Sequence, residues 1–92
     1  MDLIKYLVEF LGTFIFLSVI LSQGKAIPIA ATLLAVIYFG GDISGGNFNP
    51  AVSVMMYLKN VLNANDLLFY IIAQILGGIA ALRFSTLTPI KI

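Results

Sequence analysis

"SGGNFNPAVS", Ser44 to Ser53, decides how the rest of this sequence is read. Its two glycines, two asparagines and proline oppose a helix passing through it. On either side the chain is almost wholly apolar. Of 92 residues, 61% are hydrophobic and 10% are charged, and the mean hydropathy is +1.08. A water-soluble domain this small leaves much of its surface exposed, and this composition has too few polar residues to coat it. The lipid bilayer is the solvent it fits. A net charge of +1 offers no electrostatic footprint for a nucleic acid. The sequence has no Cys and no His, which excludes thiol chemistry, the usual zinc sites and Ser-His or Cys-His pairs. No catalytic residue, metal site or cofactor is therefore assigned, and the redox compartment stays open.

Working outward, three stretches are long and apolar enough to cross a bilayer, which takes roughly 20 residues. The first is 3–23, interrupted only by Lys5 and Glu9. A secretory signal is the competing reading. Glu9 inside its would-be apolar stretch and the lack of a small-x-small cleavage site argue against it. Gly24-Lys25 makes a turn, and Pro28 suits the first turn of a second span, 26–41. The third span is 66–86, with Asn65 or Asp66 as N-cap and Arg83 snorkelling to the interface. Pro89 falls beyond it. Between spans two and three, 50–58 reads as a short apolar helix with Asn49 as N-cap and Pro50 at the first position. It rises only about 13–14 Å, roughly half the hydrocarbon thickness. A half-length greasy helix behind a Gly-rich stretch has the pattern of a re-entrant segment. Bare backbone at membrane depth is tolerated only inside protein or along a watery cavity. The fold class expected is all-α integral membrane, three transmembrane helices plus one re-entrant half-helix.

A half-helix entering from one face aims its free N–H groups and positive dipole end at the bilayer midplane. Asn49 adds an amide that can donate to a passing solute. Upstream, Gly45, Gly46, Asn47 and Phe48 are expected to be extended, with their carbonyls forming a row of acceptors. Donors at the centre and acceptors leading to them suit a small, neutral, hydrogen-bonding solute. The dipole repels a cation.

Three motifs stand in order across nearly the whole chain: "EFLGTF" (Glu9 to Phe14), "SGGNFNPAV" (Ser44 to Val52) and "YIIAQILGG" (Tyr70 to Gly78). Together they resemble the first half of the aquaporin/aquaglyceroporin (major intrinsic protein) family. The resemblance makes 1–92 a single half repeat. It implies that Asn49-Pro50-Ala51 is the family's Asn-Pro-Ala signature at a pore centre. Glu9 matches the buried glutamate that braces the loop, which fits a rare intramembrane charge. Gln74 matches the glutamine of the third span and reads as loop support. Two departures stand out. Asn47 replaces the histidine common in the first-half motif. This sequence also carries one Asn-Pro-Ala where the family carries two, in halves of inverted topology. The family's selectivity arginine belongs to second halves, and Val52 stands at the matching place here.

These points lead to an antiparallel pair in which each copy contributes one half-helix and two Asn49 side chains meet. Orientation follows Lys/Arg bias. Lys5 and Lys59 fall on one side and Lys25, Arg83 and Lys91 on the other, which is nearly balanced, as dual orientation requires. Inverted repeats with a site at their interface are a general transporter plan. An ungapped match would build the filter from Ile29 of one copy with Ile37, Val52 and the Gly46 backbone of the other, apolar and without arginine. The expected function is a passive channel for water and small uncharged solutes such as glycerol. Proton leak is a risk in such a pore, since only paired dipoles oppose it. The expected partners are membrane lipid and a second copy, with four pairs in an octamer as family tetramers imply. The expected location is a plasma or inner membrane, in both orientations. A non-conducting half-channel subunit that pairs with another aquaporin-like chain is the alternative. The Ala73, Gly77, Ala81 stripe reads as close helix packing. Tyr6, Tyr38, Tyr57 and Tyr70 read mostly as interface belt or packing, and Asp42 and Asp66 as loop and cap residues.

Overall fold

The computed structural model describes residues 2–88; Pro89 and Lys91 lie outside the described residues. Among the described residues four helices form: α1 Leu3–Ser22, α2 Ala26–Ser44, α3 Pro50–Leu58 and α4 Ala64–Leu87. The three long ones are apolar enough to cross a membrane. Asp2 opens α1 by accepting from the Ile4 N–H. Pro28 lies in the first turn of α2, where an absent N–H costs no intrahelical bond. Asn49 caps α3 through its Oδ1, with Pro50 at the first helical position. The α3 C-terminus closes on Asn60, whose φ of 67° is left-handed. There the Asn60 N–H donates to the Tyr57 carbonyl and the Val61 N–H to that of Met56, a Schellman arrangement with Asn in the usual glycine place.

Several boundaries differ from the sequence reading. α2 continues through Gly40 and Gly41 to Ser44, so Asp42 is helical and not in a loop. Gly40 is internal because a neighbour needs the space, while nothing crowds Gly41. A Cβ at Gly40 would lie 2.7 Å from Val8 Cγ1 on α1. α4 begins at Ala64, capped by Asn63 accepting from the Asp66 N–H, and not by Asn65 or Asp66. Asp66 is engaged elsewhere, by Lys5 and Tyr6.

α1 packs against both α2 and α4, and α3 packs against α4. α1 and α4 run parallel, as Lys5–Asp66 near their starts and Glu9–Gln74 further along require. Gly77 makes their approach close: a Cβ there would stand 2.8 Å from the Phe10 carbonyl. Tyr70, Ala73, Gln74, Gly77 and Ala81 form the buried stripe of α4 at helical spacing.

The interior is more polar than the surface. Glu9, Thr13, Ser44, Asn47, Ser53 and Gln74 are buried, while Ile27, Leu34, Phe39 and Leu68 are exposed. In water that distribution would be unstable; in lipid, helices associate through small residues and buried polar contacts while apolar side chains face outward. The chain is an all-α, multi-pass integral membrane protein.

Candidate functional site

The site begins where α2 stops. Gly45 and Gly46 take φ values of 90° and 66°, a region open to glycine and costly for other residues. Phe48 also has positive φ, 54°. The segment 45–48 therefore winds through left-handed turns instead of running extended as the sequence reading expected. The turns aim successive N–H groups at Ser44 and then at Glu9. Gly46 N–H donates to Ser44 Oγ at 3.2 Å. Asn47 N–H donates to Glu9 Oε2 at 3.0 Å and Phe48 N–H to Glu9 Oε1 at 2.7 Å. Among the described residues, no donor reaches the carbonyls of Gly45, Gly46, Asn47 or Phe48.

Glu9 is fully buried, at 0% exposure. Its two oxygens accept four hydrogen bonds: the two above, one from Ser44 Oγ at 2.7 Å and one from Gln74 Nε2 at 2.9 Å. A buried charge without such partners would be prohibitive. Here the donors come from α2, the loop and α4 together, so one carboxylate joins three parts of the chain.

A second node fixes α3. Ser53 Oγ accepts from Gln74 Nε2 at 2.7 Å and from Asn47 Nδ2 at 3.0 Å. Gln74 thus bridges Glu9 and Ser53 through one amide nitrogen. Its Oε1 and the Thr13 hydroxyl are buried with no partner among the described residues. Gln74 lies near the middle of the 24-residue α4. Ser53 bonds it there, so the α3 tip one turn earlier reaches mid-helix depth. At that tip Asn49, Pro50 and Ala51 are exposed. Asn49 Oδ1 is taken by the Ala51 N–H at 2.8 Å, leaving the Nδ2 hydrogens directed away from the cap.

The Phe48 ring is the mechanical anchor. It is 3% exposed and occupies the space over Gly12 and Gly40, where a Cβ at Gly12 would overlap the ring. Close by, Ile37 lines the loop: a Cβ at Gly46 would sit 3.5 Å from its Cγ1. Ile37 is 42% exposed, and Val52 and Ile29 are half-buried. The fold therefore brings Ile37 beside Gly46, whereas Ile29 lies two turns back along α2, about 12 Å away.

Four contributors were not singled out from sequence: Ser44, Ser53, Tyr70 and the Asn47 side chain. Tyr70, read as belt or packing, is 2% exposed and donates its hydroxyl to the Ser44 carbonyl at 2.6 Å. Tyr6 donates to Asp66, which also pairs with Lys5 at 2.8 Å. A lone Ser in an apolar run gives no periodic signal; the available clue was Ser53, four residues after Asn49 and on its helix face. Arg83 is exposed, and no group of three potential metal-ligating side chains converges among the described residues.

A buried carboxylate bracing an Asn-Pro-Ala half-helix inside an apolar bundle defines the class of protein, and comparison with known sequences agrees. Residues 2–89 match the Major intrinsic protein family, and the chain belongs to it. It is 46% identical over 88 residues to "Glycerol uptake facilitator protein-like 6" of Lactiplantibacillus plantarum, covering 84% of this chain and 40% of that protein. It is 48% identical over 58 residues to "Aquaporin Z" of Brucella melitensis, covering 63% of this chain and 25% of that protein. Aquaporin Z of Photorhabdus laumondii is 41% identical over the same length of match, 58 residues, again 63% of this chain and 25% of the relative. The chain thus spans well under half the length of these relatives. No solved structure matches it.

Proposed function

We propose that this chain supplies one half of a passive channel for water and small uncharged solutes such as glycerol. A second copy, inserted upside down, supplies the other half. Two Asn49 tips then meet at the bilayer centre, each with an amide donor and a helix N-terminus facing the path. The observation that carries the reading is the placement of Asn49. It is exposed at the tip of a half-helix pinned to mid-helix depth, beside four carbonyls that accept nothing from the described residues. The names of the relatives, an uptake facilitator and aquaporins, point the same way.

Dual orientation is supported by the near balance of Lys5 and Lys59 against Lys25, Arg83 and Lys91. In the pair, Ile29 of one copy faces Ile37, Val52 and the Gly46 backbone of the other, an apolar constriction that occurs twice by symmetry. Four pairs assemble as an octamer in a plasma or inner membrane. Selectivity then comes from diameter and lining groups.

Proteoliposomes holding the purified chain alone should shrink or swell faster than empty ones in osmotic water and glycerol assays. Asn49→Asp, which replaces the amide donor with an acceptor, should reduce both fluxes. A folded, reconstituted chain without flux would overturn the homomeric channel. It would instead favour a non-conducting half that pairs with another aquaporin-like chain.

A further inference from the structure

We propose that Tyr70 is a positioning residue of the half-pore: through the Ser44 carbonyl it sets where the Asn49 tip stands. The proposal deepens the reading above and rests on it for its effect on flux, though not for its effect on the loop.

Ser44 is the last residue of α2, and its carbonyl has no helix left to bond within. The Tyr70 hydroxyl reaches it from α4 at 2.6 Å, inside a site where Tyr70 is 2% exposed. The same Ser44 donates from Oγ to Glu9 and accepts from the Gly46 N–H. One residue therefore receives α4 through its carbonyl and relays to the brace and the loop through its hydroxyl. Ser44 is also the point where the chain leaves the helix for left-handed backbone. A small rotation there would carry the whole segment 45–49 with it.

Tyr70 is itself held. Its ring meets that of Tyr6 edge-on, with centroids 5.8 Å apart. Tyr6 donates to Asp66, and Asp66 pairs with Lys5. A charged cluster near the starts of α1 and α4 thus fixes the phenol that fixes the loop. In an antiparallel pair this anchor would occur at both membrane faces.

The chain has no cysteine, so a single introduced one reports cleanly. Ala51→Cys places a thiol at the exposed α3 tip. Its labelling by a water-soluble methanethiosulfonate reagent is measured with and without Tyr70→Phe, which keeps the ring and removes only the hydroxyl. The expected result is a labelling rate changed by about fivefold, the population shift that one lost buried hydrogen bond supports. A changed glycerol-to-water permeability ratio should accompany it. Phe84→Leu, which removes the Phe14–Phe84 ring contact further along the same helix, serves as the control for general loosening and should leave the labelling rate as it was. An unchanged rate in Tyr70→Phe overturns the proposal. An equal change in Phe84→Leu overturns it too, as does loss of helix content in Tyr70→Phe, which would make Tyr70 a residue of the fold and not of the loop. A changed rate in a chain that conducts nothing supports the positioning role while removing the channel.

Discussion

Changing Glu9 to glutamine replaces one carboxylate oxygen with a donor and leaves the size of the side chain intact. The least disruptive amide orientation puts the new NH₂ where Oε2 stood. The Ser44 hydroxyl can turn to accept from it, since Gly40 O lies 3.4 Å away to take the hydroxyl proton. The Asn47 N–H then faces another donor and is left unpaired in a buried site, costing about 1–3 kcal/mol. The bonds from Phe48 N–H and Gln74 Nε2 survive but lose charge assistance, about 1 kcal/mol each. Against this, a neutral side chain escapes part of the desolvation cost of a buried anion. The net expectation is a destabilisation of about 2–4 kcal/mol, or roughly 10–20 °C in Tm for a domain this small. Thermal unfolding in detergent followed by circular dichroism reads it. Amide hydrogen exchange at Asn47 and Phe48 should rise in the same variant. A Glu9→Gln protein melting within about 2 °C of the parent, with both amides equally protected, would refute the brace.

Gly12→Ala should cost about 1–3 kcal/mol by overpacking, because its methyl would overlap the Phe48 ring; thermal melts and lowered water flux check it. Ser53→Ala leaves Asn47 Nδ2 without an acceptor and Gln74 Nε2 with Glu9 alone. It should destabilise by about 1–3 kcal/mol, where an exposed hydroxyl residue such as Thr86 changed to Ala should stay within about 0.5 kcal/mol. Asn60→Gly relieves a left-handed residue at φ 67° and should stabilise slightly, by less than about 1 kcal/mol; an unchanged or lowered Tm would count against the cap geometry.

The spans were legible because hydropathy alone sets them, and α3 because Asn-Pro before an apolar run is a helix start wherever it falls. Gly40-Gly41 misled as a stop signal. Glycine in a helix reads as a break until the partner needing the gap is known; at Gly40 Val8 and the Phe48 ring supply it, and Gly41 simply continues the helix. The α4 cap was ambiguous for a local reason: Asn63, Asn65 and Asp66 stand within one turn, and only the ion pair of Asp66 with Lys5 releases the role to Asn63. Glu9 and Gln74 could be marked out because polar groups are conspicuous in grease. Ser44, Ser53 and Tyr70 could not, since the groups they bond come from residues 21–35 positions away or more than one element at once. The expectation of an extended loop failed because a single buried carboxylate collects successive N–H groups only if the backbone turns left-handed.

The central claim is that the half-pore is completed by an inverted twin, and sidedness tests it most directly. Single cysteines placed at Gly24 and at Val61, both exposed and at opposite ends of the bundle, leave the Lys/Arg balance intact and are labelled from outside sealed right-side-out vesicles with a membrane-impermeant reagent. The account predicts that each position labels in about half of the molecules, as balanced topology requires. Complete labelling at one position and none at the other would contradict it.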